Sequence, residues 1–238
     1  MDNLEFNKQL INYANTLNIE ISENQANKFY EYMKLLLEWN NKINLTAITD
    51  EKEIIIKHFI DSISINKYVR NQKNVIDIGT GAGFPGIPLK ILNNNIEFIL
   101  VDSLNKRINF LEEVKEKLSL AKLKNIHARV EDLAQNKEYR EKVNLAVSRA
   151  VASLRILAEY MLPFVEKDGY CICMKGPNIN EEIKEAENAI DILGGKIEKI
   201  ESLLLPEKIE RNIVIIKKIK NTPTKYPRKA GMPSKQPL

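Results

Sequence analysis

The chain contains few of the residues from which disulfide frameworks and metal centres are built. Its 238 residues include two cysteines, Cys171 and Cys173, and two histidines, His58 and His127. A disulfide scaffold needs more cysteine than this, and the Cys-x-Cys pair lies within an apolar run, where cysteine is typical of core packing. We therefore expect no disulfide, no metal site and a cytoplasmic protein.

Long apolar stretches are also missing. No run of 18 apolar residues occurs, and residues 1–6 lack the basic and apolar regions of a signal peptide. We therefore predict neither secretion nor a membrane-spanning segment. Apolar residues make up 44% of the chain and charged residues 29%, which is ordinary for one globular domain with a small addition.

Acidic residues are absent from the end of the chain. From Lys217 onward there are seven basic residues and no acidic ones, so residues 1–216 carry a net charge of −3 although the whole chain carries +4. Residues 221–238 combine proline with charge, which predicts an extended tail and not a packed core element. Such a tail suits contact with RNA phosphates, and a solubilising tail is the alternative.

The hydrophobic pattern changes near residue 72. Residues 1–71 predict a small helical region, in which Ser22 with Gln25 forms a capping box and Asp50 with Glu53 starts another helix. In residues 72–220, which we predict to be the main domain, strands alternate with helices. The predicted strands are 74–78, 97–102, 125–129, 143–149, 169–175, 196–205 and 211–219.

This alternation predicts an α/β fold of the Rossmann-like, class I methyltransferase type. The sheet should have seven mainly parallel strands with helices on both faces. Only residues 206–210 join the last two predicted strands, so those strands should form an antiparallel hairpin. Ligands of such folds bind beyond the carboxyl ends of the strands.

A glycine loop follows the first predicted strand and contains Gly79, Gly81 and Gly83. Glycine adopts positive φ and leaves no Cβ between the backbone and a ligand. Phe84 stands where a dinucleotide fingerprint has its third small residue, and the lysine of a phosphate-binding P-loop is missing after Gly86. Asp77 lies where its carboxylate could face a cationic or hydroxyl-bearing ligand. The loop therefore favours S-adenosylmethionine as the cofactor.

Polar residues also follow the next four predicted strands. Asp102 ends the second strand, where a carboxylate can accept both hydroxyls of a ribose. Val130 and Glu131 follow the third strand, where a backbone amide and a carboxylate could bind an adenine edge. Arg149 and Lys175 end the fourth and fifth strands. Together these residues predict a cofactor pocket at one edge of the sheet.

The same residues belong to a resemblance that covers essentially the whole chain. The chain resembles the RsmG, or GidB, family of 16S ribosomal RNA guanine-N7 methyltransferases. One departure is Ala230, where relatives with this tail often have proline. The shared segments include Glu-Trp-Asn-Asn-Lys-Ile-Asn-Leu-Thr from Glu38, His-Phe-Ile-Asp-Ser from His58, the glycine loop continuing through Phe-Pro-Gly-Ile-Pro, Ser-Arg-Ala from Ser148, Met-Lys-Gly from Met174 and Lys-Tyr-Pro-Arg-Lys-Ala-Gly from Lys225.

The resemblance implies that Gly79, Phe84, Val130, Glu131 and Arg149 contact S-adenosylmethionine. It also implies that the target is a guanine in the 16S rRNA loop beside the decoding site. With the residues from the pattern, the predicted cofactor site consists of Asp77, Gly79, Gly81, Phe84, Asp102, Val130, Glu131 and Arg149.

Other shared residues are expected on the RNA side. From spacing alone, His58 and Asp61 predict a surface pair, whereas the resemblance places His58, Asn40 and Asn44 in the RNA-side pocket. Trp39, in the same segment, is predicted to be a core residue. The basic residues expected to bind RNA phosphates are Arg129, Arg211, Arg228 and Lys229.

Guanine N7 carries a lone pair and no proton, so direct in-line attack on the methyl group needs no general base. The chain has Ser148-Arg149-Ala150 where enzymes that methylate exocyclic amines have Asp/Asn-Pro-Pro-aromatic, and it lacks the cysteine nucleophile of cytosine C5 methylation. We predict that Arg149 and Lys175 are the catalytic residues and orient the cofactor and the guanine, because guanine O6 accepts donors beside N7.

Three alternatives remain at this stage. A small-molecule methyltransferase would show turnover without RNA. A nicotinamide dehydrogenase would bind NAD, and a non-enzymatic RNA-binding module would not need the glycine loop. We expect a monomer whose partner is 16S rRNA or the small ribosomal subunit.

Overall fold

The computed structural model describes residues 1–238 and contains one seven-stranded sheet. The strands are β1 (Asn74–Ile78), β2 (Glu97–Asp102), β3 (Leu123–His127), β4 (Val143–Arg149), β5 (Val165–Lys175), β6 (Gly195–Leu205) and β7 (Ile209–Lys218). Their order across the sheet is β3-β2-β1-β4-β5-β7-β6. The chain leaves β1 towards one edge of the sheet and returns at β4 towards the other, so a crevice opens outside the carboxyl ends of β1 and β4.

Strand direction follows the prediction. β1 to β5 run parallel, and β7 is antiparallel to both β5 and β6. The central parallel strands are apolar on both faces because helices cover both faces; Val75, Ile76 and Ile78 are each at most 1% exposed. The predicted α/β class and the C-terminal hairpin are confirmed.

Eleven α-helices surround the sheet. They are α1 (Asn3–Thr16), α2 (Glu23–Asn40), α3 (Glu51–Glu53), α4 (Asp61–Ile63), α5 (Asn66–Val69), α6 (Gly86–Leu92), α7 (Asn105–Lys117), α8 (Val130–Gln135), α9 (Leu154–Met161), α10 (Asn180–Ile192) and α11 (Met232–Lys235). A π-helical segment, Ile54–Ile60, joins α3 to α4, and 3-10 turns occupy Leu162–Phe164 and Pro206–Lys208. No helix has the length and apolarity needed to cross a membrane.

The predicted helix starts of the N-terminal region are present. Ser22 and Gln25 form both hydrogen bonds of the capping box at the start of α2, and Asp50 accepts from the amide of Glu53 at 2.9 Å. These bonds satisfy amides that have no partner within the first helical turn.

An aromatic cluster joins the N-terminal helices to the glycine loop. The Tyr32 ring of α2 lies 5.4 Å from Phe59 and 5.6 Å from Phe84, centroid to centroid, and its hydroxyl donates to the carbonyl of Ala82. Trp39 packs 5.7 Å from Phe110 and donates from Nε1 to Glu113, in agreement with a core role. The helical region thereby fixes one side of the loop.

Several predicted strand boundaries are wrong. β3 ends at His127 and not at residue 129, and β7 begins at Ile209 and not at residue 211. β3 begins at residue 123 and not at 125, because its register follows β2, with Leu123 opposite Phe98. Polar residues within this exposed edge strand hide its apolar alternation. β5 begins at residue 165 and not at 169, because Val165 pairs with Val143 and the preceding helix ends at Met161.

The C-terminal tail packs against the body, so the prediction of an unpacked extended tail is wrong. Tyr226 and Thr222 are 7% and 3% exposed. The guanidinium of Arg140 donates to the carbonyls of Thr222 and Tyr226, each at 2.8 Å. The tail lacks strand partners for its carbonyls, and an arginine fork supplies donors in their place.

Candidate active site

The glycine loop lies between β1 and α6 and has the conformation that its glycines allow. Gly79, Gly81 and Gly83 have φ of +68°, +61° and +97°. A Cβ on Gly79 would lie 2.6 Å from Cγ2 of Val151, and one on Gly83 would lie 2.5 Å from Cγ1 of Ile87. A side chain is therefore excluded at both positions, because φ is positive and because a Cβ would clash with a neighbouring side chain.

Asp77 stabilises this loop. Its Oδ2 accepts from the Thr80 hydroxyl at 2.6 Å and from the Gly86 amide at 2.8 Å, and the residue is fully buried. Burial raises the pKa of the Asp77 carboxyl to about 7, against the opposing effect of those two hydrogen bonds. The structure differs from the prediction here: Asp77 does not line the cavity, because the loop folds back over its side chain.

A cavity of about 390 Å³ opens beyond the carboxyl ends of β1 to β4. Its walls come from the strand ends, from α8 and α9, and from the C-terminal tail. The lining residues are Ile78, Gly79, Val101, Asp102, Ser103, Arg107, Ala128, Arg129, Val130, Glu131, Ala150, Val151, Ala152, Tyr160, Gly231 and Ser234.

Asp102 lies in this cavity at the end of β2, as predicted. Its Oδ2 accepts from the Gly81 amide at 2.9 Å and from Arg107 at 3.1 Å, while Oδ1 accepts from the Leu104 amide. The carboxylate is 4% exposed and its oxygens retain acceptor capacity. The sequence analysis missed Arg107, because Asp102 ends β2 whereas Arg107 lies on α7, so no periodicity relates the two residues.

Glu131 and Val130 line the opposite end of the cavity, also as predicted. Glu131 is 4% exposed, and its Oε1 accepts from the amide of Gly231 at 2.8 Å. Arg129 lies beside them and is exposed. The sequence reasoning missed Tyr160 of α9, Gly231 and Ser234, because nothing in the sequence indicates that α9 and the tail reach this cavity.

Phe84 and Arg149 do not line the cavity; they form a stack with His58 behind the loop. The His58 and Phe84 rings are 4.4 Å apart and 15° from parallel, and the Arg149 guanidinium lies 5.0 Å from the Phe84 centroid. Burial and the positive charge of Arg149 lower the pKa of His58 to about 3, so this imidazole is neutral. Its Nε2 lies 2.8 Å from the hydroxyl of Thr46.

Asp61 joins two of the predicted arginines. This carboxylate, with its side chain 3% exposed, accepts from Arg149 at 2.9 Å and from Nε of Arg211 at 3.2 Å. The predicted surface pair of Asp61 with His58 is wrong, because Asp61 is buried and its oxygens face the two arginines. Arg149 also donates to the carbonyl of Lys57 at 3.1 Å, which connects the end of β4 to the π-helical segment.

Lys175 anchors the segment that follows β4. Its Nζ donates to the Ala152 carbonyl and to Glu182, both at 2.6 Å, and Glu182 also accepts from the Leu154 amide. Ala152 lines the cavity, so Lys175 acts on the cavity wall through this carbonyl.

The remaining predicted RNA-side residues fall into two groups. Asn44 and Lys229 are exposed, whereas Asn40 accepts from the amides of Leu45 and Thr46 and so shapes a turn. Arg228 is not available to bind a phosphate, because its guanidinium is paired with the buried carboxylate of Glu159.

Cys171 and Cys173 are buried and form no disulfide, as predicted for packing residues.

The residues of the cavity fit S-adenosylmethionine. Gly79 follows β1 and lines the cavity, and Val151 occupies the space that a Cβ at this position would need. The backbone of Gly79 therefore borders the cavity without a side chain. Asp102 and Glu131 provide acceptors for hydroxyl and amine groups at two separate positions. The cavity volume is in the range of small-molecule sites.

The fold is that of the class I methyltransferases. The chain shares its fold with the ribosomal protein L11 methylase from Lactobacillus delbrueckii subsp. bulgaricus, at 16% identity and a TM-score of 0.53, over 69% of this chain and 79% of that chain. It also shares the fold with a mutant of MtNAS, at 14% identity and a TM-score of 0.54, over 91% and 86% of the two chains. At these identities the likeness concerns the fold alone.

Sequence comparison identifies the family. The family described as GidB, rRNA small subunit methyltransferase G, matches residues 25–214. The chain is 55% identical over 228 residues to the Ribosomal RNA small subunit methyltransferase G of Alkaliphilus oremlandii, covering 94% of this chain and 95% of the relative. It is 50% identical over 238 residues to the protein of the same name from Clostridium botulinum, covering 99% and 100%. The chain therefore belongs to the GidB family, which confirms the resemblance and S-adenosylmethionine as the cofactor.

Proposed function

We propose that the protein transfers a methyl group from S-adenosylmethionine to N7 of a guanine in 16S rRNA, in the loop near the decoding site. The relatives are named as methyltransferases of small-subunit rRNA, which supports the RNA as substrate. The observation that supports the choice of N7 is that both carboxylates of the cavity, Asp102 and Glu131, are placed to bind the cofactor, which leaves neither to take a proton from the substrate.

Within this cavity we place the cofactor over the ends of β1 to β3, which leaves the ends of β4 and β5 for the substrate. Backbone at Gly79 and Gly81 would hold the amino-acid end of the cofactor, Asp102 its ribose hydroxyls, and Val130 with Glu131 its adenine. The guanine then approaches from the side of Ala150 to Ala152, which lines the cavity beyond β4.

The proton-accepting groups of the cavity support direct attack by the lone pair of guanine N7 on the methyl group. Its two carboxylates, Asp102 and Glu131, already accept backbone amides from Gly81 and Gly231. His58 lies outside the cavity. The bound sulfonium supplies an electrophilic methyl group, and a nucleophile without a proton needs no base from the chain.

The contribution of the chain is therefore positioning. Arg149 and Lys175 were predicted as catalytic residues, and we propose that they orient the guanine as positioning residues, because neither side chain lines the cavity. Both are tied to structure: Arg149 lies against Phe84 and Asp61, and Lys175 holds the carbonyl of Ala152. Alignment of reacting groups by such fixed side chains lowers a barrier by several kcal/mol, about 7 to 11 in favourable cases.

The proposed RNA surface surrounds this opening. Exposed Arg129, Asn44 and Lys229 supply donors for phosphates and bases, and Arg211 and His58 lie on the same side as Arg149. Arg228 was also predicted to bind RNA phosphates, but we do not include it in this surface, because its guanidinium is paired with Glu159.

The test uses purified protein, methyl-labelled S-adenosylmethionine and small ribosomal subunits that lack the modification. After digestion to nucleosides, mass spectrometry should find the label in 7-methylguanosine and in one position of 16S rRNA. Label in any other nucleoside, or none despite cofactor binding, would overturn the proposal. Free guanosine is the control for small-molecule turnover and should stay unlabelled.

A further inference from the structure

The C-terminal tail reaches the cofactor cavity and forms part of its wall. Gly231 and Ser234 line the cavity beside Glu131 and Tyr160. The Gly231 amide donates to Oε1 of Glu131 at 2.8 Å, and Gly231 has φ of +81°, a conformation that favours glycine. The tail therefore sets the direction of a carboxylate inside the cavity.

Arg228 fixes the tail three residues before this contact. Its Nε and Nη2 donate to both carboxylate oxygens of Glu159, at 3.0 to 3.2 Å and 2.6 Å, and its backbone amide donates to Glu159 at 2.7 Å. The Glu159 side chain is 1% exposed. A buried carboxylate bound by an arginine fork and an amide holds one geometry, because loss of either partner leaves a buried charge unpaired.

Further bonds hold the tail on α8 and on the segment that follows it. Gln135 of α8 donates to the carbonyl of Pro227 at 2.8 Å, and Arg140, beyond the end of α8, donates to the carbonyls of Thr222 and Tyr226. Glu159 and Tyr160 are neighbours on α9, so the residue that anchors Arg228 and the one that lines the cavity share a helical turn. Movement at Arg228 would be transmitted directly to Gly231 and Ser234.

We propose that Arg228 and Glu159 are a positioning pair for the cofactor site, and that residues 226–234 bind S-adenosylmethionine by holding Glu131 and closing the cavity. This segment then serves the cofactor, while the exposed lysines around it remain available to RNA. The inference rests on the proposed methyltransferase function, but not on which nucleotide is methylated.

The test measures binding of S-adenosylhomocysteine by calorimetry in the absence of RNA. Arg228→Gln and Glu159→Gln should each weaken binding by about tenfold or more, the range of coupling between linked sites. The double variant should lose little beyond either single variant, because both remove one interaction. Lys220→Gln, which removes an exposed charge outside residues 226–234, should bind like the unchanged protein.

Two measurements separate positioning from a general loss of structure. Arg228→Lys retains one charge and should recover part of the affinity, and circular dichroism of each variant reports folding. In the unchanged protein, hydrogen exchange of residues 226–235 should slow on saturation with S-adenosylhomocysteine, whether or not the variants fold. Unchanged exchange there, or Arg228→Gln that weakens only RNA binding, would overturn the proposal. Failure to form 7-methylguanosine would instead contradict the RNA target and leave this result intact.

Discussion

Arg149, which we propose as a positioning residue of the active site, does not line the cavity. It lies at the end of β4, where a ligand-binding residue is expected, but its guanidinium points towards Asp61, Phe84 and the π-helical segment. It therefore joins the helical region to the sheet directly beside the proposed guanine entrance. The position of Arg149 at the end of β4 could be predicted from the sequence, whereas the direction of its side chain could not.

Removal of this guanidinium tests its role. Arg149→Ala should remain folded, since Arg211 stays paired with Asp61, yet methyl transfer should fall by about 100-fold because the segment after β4 is misplaced. Turnover assays measure methyl transfer, and circular dichroism reports whether the variant is folded. Arg155→Ala is the control: this arginine of α9 has only an exposed partner, Glu185, at 3.8 Å. Full activity of Arg149→Ala would remove Arg149 from the site.

His58 gives a prediction for pH. Its pKa is lowered to about 3 by burial and by Arg149, while an unfolded histidine titrates near about 6.5. Between these values the unfolded chain binds the extra proton, so the contribution of His58 to stability is complete above about pH 6.5 and is lost as pH falls towards 3. In denaturant titrations, His58→Gln should reduce the loss of stability below pH 6.5.

The chain offers a matched control for this measurement. His127, the only other histidine, is exposed on the edge strand β3, so His127→Gln should retain the acid dependence of the unchanged protein. Comparison of the two variants cancels the carboxyl groups that titrate in the same range, including Asp77. Identical pH dependence in both variants would contradict a buried neutral His58.

At the scale of elements, the glycine loop is fixed from three sides. Asp77 holds it from β1, Tyr32 from α2 and Val151 from the segment after β4. The loop is therefore a rigid junction of the helical region and the sheet. The glycines of the loop are needed for this close packing as well as for contact with a ligand.

Gly79→Ala should disturb this junction. The φ of +68° alone costs about 1 to 2 kcal/mol for a residue with a Cβ, and the new methyl group would meet Val151 at 2.6 Å. We expect weaker binding of S-adenosylhomocysteine and a lower melting temperature. Gly176→Ala is the control, because no atom lies within 4 Å of its added Cβ and its φ is not positive. Val151→Ala should partly rescue Gly79→Ala; equal binding by both glycine variants would contradict the crowding argument.

The elements that the sequence predicted correctly are those with local signals. β2 and β4 are apolar runs that end at a polar residue, β1 ends directly before the glycine loop, and α2 starts with a capping box, so these bounds follow from neighbouring residues. The contacts of Arg149 with Asp61 and of Gly231 with Glu131 span 88 and 100 residues. No periodicity relates such partners, and only packing of the whole chain brings them together.

At the scale of the whole molecule, the excess positive charge has two separate uses. Part of it is internal: Arg228 neutralises Glu159, and Lys218 is buried beside Glu141 and Thr222. Burial lowers the pKa of Lys218, against the effect of Glu141. Three other basic residues of the tail, Lys225, Lys229 and Lys235, are exposed.

The exposed lysines should account for the salt dependence of RNA binding by the tail. The triple variant Lys225→Gln, Lys229→Gln, Lys235→Gln should weaken binding to 16S rRNA and reduce the slope of log K against log salt by about 0.7 for each contact to single-stranded RNA. Cofactor affinity should be unchanged. The control replaces Lys167, Lys184 and Lys196, which are exposed elsewhere on the body, with glutamine. Equal slopes for the two triple variants would leave the tail lysines without a specific role in binding RNA.

The bond between Gly231 and Glu131 also bears on the order in which the molecule forms. Contacts between residues 100 positions apart in sequence close large loops and form late in folding, after local helices and hairpins. During synthesis, the strand ends that surround the cavity leave the ribosome well before Arg228 and Gly231. The nascent chain can thus complete its sheet while the cavity still lacks a wall, and capacity for the cofactor arises at the final stage of maturation.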